Sequence, residues 1–203
     1  MSHTTTTTSF LGRALACALC LLAAAMPARA TSVLPVDLDH IVSRANVAFQ
    51  GTVTDVHSDH DPATGWIVTY VTFRVDDALK GPAGSTYTLK QIGGRLPDGE
   101  TYRVDGVPSY AVGHSYVVFL HSPSPLGLSS PVGLSQGKFD VAQGPSGPEV
   151  SNGRDFREMT ANIPVETLPP NVRAKIELKA GTKVRSVGLD DFKQLVRQRM
   201  VAR

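Results

Sequence analysis

The densest group of chemically capable side chains in this chain is His57-Ser58-Asp59-His60-Asp61. Imidazole and carboxylate together suit Zn²⁺ or another divalent ion, provided two or three of them converge within about 2.0–2.2 Å of the metal. In an extended chain His57, Asp59 and Asp61 share one face. Pro62, Thr64 and Gly65 follow at once, however, and that composition makes the stretch a solvated hairpin loop between two strong strands. Two readings stand: a polar loop, or a metal site on His57, Asp59, His60 and Asp61 serving a metal-binding protein or a metal-dependent hydrolase. No remote third ligand is evident, so the loop is preferred, and no catalytic, cofactor-binding or metal residue is assigned.

The remaining candidates are sparser. His114 and His121 stand seven residues apart, so a regular strand points them to opposite faces and they cannot chelate one ion. His40 falls on the outer side of a helical segment. Serines crowd Ser122–Ser135 among prolines and glycines; the Gly-x-Ser-x-Gly spacing of Gly133-Leu134-Ser135-Gln136-Gly137 falls at the end of that stretch, and no Ser–His–Asp site is assigned from it. Gly93-Gly94 and Gly137 lack the spacing of a phosphate or dinucleotide loop and read as turn or bulge glycines. No cofactor is expected, and the reading is of a protein that is not an enzyme.

Residues 1–30 carry a different message. A polar start reaching Arg13 precedes the apolar run Ala14–Ala25, and Ala28-Arg29-Ala30 supplies small residues at the positions a signal peptidase reads. Twelve apolar residues are too few for a membrane span of about 20. Neither cysteine sits in a lipoprotein cleavage context. Cleavage after Ala30 is expected, giving a secreted or periplasmic protein with no span after processing. Removal of Arg13 and Arg29 from the 20 basic residues leaves 18, matching the 18 acidic ones, so the processed chain is formally neutral. Cys17 and Cys20 leave with the same segment, which excludes disulfides, thiolate metal sites and thiol nucleophiles from the product. Neutrality and export together argue against a nucleic-acid partner.

The elements that must position any site are mostly strands. Asp37 can cap a short helix whose inner face is Leu38, Ile41, Val42 and Ala45. From Val47 the period changes to two, with Val47, Phe49 and Val53 inward and Gly51 marking a bulge or close approach. Trp66–Leu79 is the longest strand candidate, with Ile67, Val71, Phe73, Val75 and Leu79 on one face. Tyr87–Ile92, Thr101–Val107 and Ser115–His121 follow, the last apolar on both faces and therefore central. Gly137–Val141 and Glu149–Ser151 suggest a hairpin about Gln143-Gly144-Pro145. Close-set strands without intervening helices imply antiparallel pairing in a small, closed or nearly closed barrel. Val172, Ala174, Ile176 and Leu178 alternate with charges as an edge strand would. Leu189–Met200 reads as a helix with Leu189, Phe192, Val196 and Met200 buried. Residues 31–172 hold 9 basic and 15 acidic side chains, and 173–203 hold 9 basic and 3 acidic, so a basic tail is expected to dock on an acidic body. The expected organisation is a leader over 1–30, a β-barrel domain over 31–153, and a proline-containing connection, possible edge strand and basic helix over 154–203.

The stretch from Leu38 to Val141 resembles a widespread family of exported bacterial proteins without an assigned activity. The resemblance rests on "ANVAFQGTV", "YVTFRVDDALKG", Gly93-Gly94, "VDGVPSYAVGHSYVVFL" and "LSQGKFDV". It implies an oligonucleotide-binding-type (OB-like) barrel as used in netrin-like and metalloprotease-inhibitor domains, with a short N-terminal helix and a C-terminal one. It also implies binding outside the cell, with an extracytoplasmic protein, a peptidase among the options, as partner. Inhibitors of that class act through an N-terminal cysteine that the processed chain lacks, so no site residue carries over. The barrel rim near Gly93-Gly94 and Val107-Pro108 is the surface such a module would insert into a partner's cleft.

Overall fold

The computed structural model describes residues 34–178 and 181–201; the leader read over 1–30 lies outside them. Helix α1 (Leu38–Arg44) opens the fold, and Asp37 caps it by accepting the His40 N–H at 2.7 Å. At its other end the Lys80 ammonium donates to the Val42 carbonyl at 2.8 Å. Nine strands follow: β1 (Val47–His60), β2 (Ile67–Lys80), β3 (Thr86–Ile92), β4 (Gly94–Arg95), β5 (Thr101–Tyr102), β6 (Ser115–Leu120), β7 (Lys138–Gly144), β8 (Gly147–Ser151) and β9 (Val187–Gly188). Helices α2 (Phe156–Met159), α3 (Pro170–Leu178) and α4 (Leu189–Val201) and two short 3-10 turns, Leu134–Gly137 and Val165–Thr167, complete the described elements. Seven strands form one antiparallel sheet in the order β3-β2-β1-β6-β7-β8-β9, while β4 and β5 pair separately. Two isolated bridges add to it: Lys90 of β3 pairs in parallel with Leu128, and Leu120 of β6 pairs antiparallel with Pro131.

Alternation along β1 and β6 divides the interior in two. Phe49, Val53, Phe73, Leu89, Tyr116, Val118 and Leu120 pack on one face of the sheet. Ala48, Val117 and Phe119 face the other way, where they meet Leu38, Ile41, Phe139, Phe156 and Phe192. Phe192 sits at the middle of that second cluster, 4.7 Å from the Phe139 ring centre and 5.8 Å from that of Phe156. The apolar character of both faces of β6 thus has a direct physical cause: each face closes a different core.

The ladder between β1 and β2 slips three times, once between Val53 and Asp55. The extra residue there moves the inward set from odd positions to even ones, so that Val56 and Ser58 continue the face begun by Phe49 and Val53. Gly51 is obligatory on the same strand, because a Cβ there would lie 2.8 Å from the Arg74 carbonyl oxygen.

Three expectations need correction. His57–His60 is not loop but the end of β1, paired with Tyr70–Ile67, and the turn spans only the residues between His60 and Ile67. Thr101–Val107 is strand only at Thr101–Tyr102. Val172–Leu178 belongs to helix α3: Pro170 is suited to a helix's first turn, and Val172 and Ile176, four apart, pack against the core while Ala174 is exposed.

The basic C-terminal helix does dock on the acidic body. Arg197 and Lys193 reach Asp77 of β2 at 2.8 and 3.1 Å, and Arg199 reaches Asp39 of α1 at 2.7 Å. Burial alone would raise the Asp77 carboxyl, but hydrogen bonds from Lys193 and Arg197 outweigh it and hold it below the usual carboxylate range.

Candidate binding groove

Beyond the slip after Val53, the inward residues of β1 and β2 turn polar. Ser58 and Thr69 face each other with their hydroxyls 2.9 Å apart, and Thr69 donates on to the Gly93 carbonyl at 2.7 Å. Gly93 and Gly94 lie directly on this pair with φ of 84° and 151°. A Cβ on Gly94 would sit 2.3 Å from the Ser58 hydroxyl, and one on Gly93 would sit 2.7 Å from the Tyr102 carbonyl. The two glycines let the chain leave β3 and lay the small β4–β5 ribbon against the end of the sheet.

A groove of about 720 Å³ lies between this ribbon, the ends of β1–β3 and the segment leading to Tyr110. Val56, Val71, Leu96, Val104 and Val107 line it together with the glycine pair. Gln91 also lines it and is only 7% exposed, because alternation on β3 sends it inward beside Leu89. Its amide nitrogen donates to the Pro108 carbonyl at 3.0 Å, but its amide oxygen has no partner. The hydroxyl of Tyr110, another lining residue, is likewise buried and unpartnered. The Tyr110 ring is held edge-on by Phe73 at 5.4 Å and Tyr116 at 5.2 Å. Burial, with the neighbouring Tyr116 and Asp140, pushes the Tyr110 phenol far above its ordinary range, so it is a neutral hydrogen-bonding group. At the rim stand Arg95 and Arg103, both exposed and without an ion-pair partner among the described residues.

Across the β4–β5 ribbon a second hollow of about 370 Å³ is lined by His60, Trp66, Ile67, Ile92, Glu100 and Tyr102, among others. Trp66 is 50% exposed and Tyr102 is 49% exposed, an unusual expense of aromatic surface for two neighbouring side chains.

The four residues singled out as metal candidates are dispersed by this geometry. His57 lies on the outer face, 2.6 Å from Asp55 and stacked on Tyr70. Asp59 is exposed and accepts the His60 N–H at 2.7 Å. The His60 ring lies 3.1 Å from the Gly65 carbonyl oxygen and 3.9 Å from Glu100. Asp61 is occupied: Lys90 donates to it at 2.6 Å and Thr64 at 2.8 Å, and these bonds hold its carboxyl below the usual range. Among the described residues no group of three or more His, Cys, Asp or Glu side chains is placed to hold a metal ion. His40 and His114 are exposed, and His121 is half-buried.

Sequence reasoning missed Gln91 and Tyr110. The signal for Gln91 was present, since it occupies the position after Leu89 on the inward face of a short strand, where an apolar residue is the rule. Tyr110 follows Pro108 in an irregular segment with no period, so nothing in its neighbourhood marks it as buried. Comparison of the chain with family models, with curated proteins and with solved structures finds no match.

Proposed function

We propose that this chain is an exported, non-catalytic binding module built on a small OB-like barrel, and that the groove beside the β4–β5 ribbon, with its aromatic flank, is the seat of its partner. For the barrel, the support is a ring of backbone pairings. The sheet runs β3-β2-β1-β6, Leu120 of β6 pairs with Pro131, and the same segment reaches back through Leu128 to Lys90 of β3. The Ser129 N–H donates to the Lys90 carbonyl at 2.9 Å and the Val132 N–H to that of Phe119 at 2.8 Å, tying the segment to both neighbours. A ring in that order, with helices packed outside it, is what a netrin-like relative of the resembled family would have.

The observation that carries the binding reading is the pair Trp66 and Tyr102. Aromatic side chains are the residues through which proteins most often anchor a partner, and the chain leaves both half exposed around adjoining hollows. The partner of this reading is an extracytoplasmic protein. Residues 31–203 immobilised as bait should retain a defined protein from periplasm or culture medium, and Trp66→Ala with Tyr102→Ala should lose it. A partner retained equally by the double variant refutes this placement of the seat. Mass spectrometry of the exported product tests processing, with Thr31 expected as its first residue.

A further inference from the structure

We propose that the groove binds an amphipathic carboxylate, the free C-terminal end of a short apolar peptide, with its amide against Gln91 and Tyr110 and its carboxylate at Arg95 and Arg103. The inference rests on the binding reading above and names the chemistry of the occupant.

Each part of that chemistry answers a separate feature. The Gln91 amide nitrogen is committed to Pro108, so the remaining oxygen can only accept, and whatever meets it must bring an N–H or O–H. The Tyr110 hydroxyl can donate or accept. A peptide unit presents one donor and one acceptor, the two kinds of group that these atoms call for. Buried polar atoms without partners are costly and few in folded proteins, and here both belong to residues that line one groove, where an occupant meets them by displacing the side chains that cover them. A trapped water could satisfy them, but water needs neither the apolar walls of Val56, Val71, Val104 and Val107 nor a volume of about 720 Å³. That volume falls within the range of about 300–1,000 Å³ typical of small-ligand sites.

The rim supplies the sign of the charge. No aspartate or glutamate lines the groove, whereas two arginines do. Arginine presents a planar fork that matches a carboxylate's two oxygens. An apolar body, an amide at the floor and an anion at the mouth together describe a peptide's carboxyl end. An N-acylated amino acid shares that chemistry and differs only in length.

The test is a titration of ¹⁵N-labelled residues 31–203 with acetyl-Ala-Leu-Leu bearing a free carboxylate, with the same peptide as its C-terminal amide, with acetyl-leucine, and with an oligothymidylate. The free-acid peptide should shift the amide signals of Gly93, Gly94 and Tyr110, and the amide form should bind about tenfold more weakly. Arg95→Gln combined with Arg103→Gln should erase that difference. Tyr110→Phe should weaken both forms while leaving the spectrum of a folded protein, and it serves as the control should Gln91→Leu fail to fold. Tighter binding of the tripeptide than of acetyl-leucine supports a peptide occupant; the reverse overturns that source. Equal binding of acid and amide in the groove overturns the carboxylate and leaves the binding module standing. Absence of peptide binding up to millimolar concentration overturns the inference, as does oligothymidylate bound in its place. Shifts confined to the helical face overturn both it and the assignment of the seat.

Discussion

Tyr110→Phe removes one buried oxygen from a half-buried side chain and should make the protein more stable. The hydroxyl is shielded from solvent and meets no hydrogen-bond partner. Leaving such a group unsatisfied costs about 1–3 kcal/mol of desolvation, and deleting it recovers that cost. The ring's own contacts survive the change, since Phe73 and Tyr116 touch it edge-on at centroid distances of 5.4 and 5.2 Å. Lys138, whose ammonium lies 5.5 Å from the Tyr110 ring and 4.6 Å from that of Tyr116, keeps an aromatic surface beneath it. A net gain near the lower end of the range, about 1 kcal/mol, is therefore expected, or a rise of about 2–4 °C in melting temperature for a domain of this size. Urea unfolding of the wild type and the variant, followed by circular dichroism, measures it. The midpoint should rise at constant slope, showing that stability and not compactness has changed. A midpoint that falls by the equivalent of 1 kcal/mol or more refutes the reasoning, because it requires the hydroxyl to have a partner, such as an ordered water, in the unliganded protein.

Other perturbations have comparably definite outcomes. Phe192→Ala opens the centre of the helix-side core, where Phe139, Phe156 and Phe119 all meet one fully buried ring; a loss of about 3–5 kcal/mol is expected in the same urea assay. The depressed carboxyls of Asp61 and Asp77 contribute stability above their unfolded value of about 3.9, and that contribution disappears as pH falls through their lower folded values. Acid titration should therefore show stability declining below about pH 4, with Asp77→Asn less stable at neutral pH but with a shallower acid limb. Equimolar Zn²⁺ should leave the melting temperature unchanged, since Lys90 holds Asp61 and alternation sends His57 and His60 to opposite faces; a rise of several degrees that His57→Ala abolishes would contradict the dispersed geometry.

Periodicity made most of the sheet legible. Val47, Phe49 and Val53, then Ile67, Val71 and Phe73, carry a period of two that only a half-buried strand satisfies, and the doubly apolar Ser115–His121 could only be central. The cap at Asp37 and the stripe of Leu189, Phe192 and Val196 were equally readable because each depends on local spacing alone. Failures cluster where a non-local fact overrides a local one. Val172–Leu178 alternates like a strand, yet its apolar positions also contain the i, i+4 pair a helix needs, and packing against Phe192's core decides between them. The polar string His57–His60 looks like a loop because the slip at Val53 reverses its inward parity, and pairing with Tyr70–Ile67 overrides composition. The groove was the least visible part. Its floor joins Gln91 and Tyr110 across an irregular segment, and no spacing rule links a β-strand position to a loop tyrosine nineteen residues later.

Both interiors are lined by the same two strands, β1 and β6, through alternate side chains, and that sharing bears on how the chain can be cut. A fragment ending near residue 153 would retain every strand of the groove and helix α1, yet it would strip Ala48, Val117, Phe119, Phe139 and Val150 of the cover that Phe156, Met159, Phe192 and Val196 of the later helices provide. The product would present a continuous greasy wall to solvent and self-associate. Helices α2–α4 thus seal the back of the sheet that carries the groove, and preparations meant for ligand work must keep them.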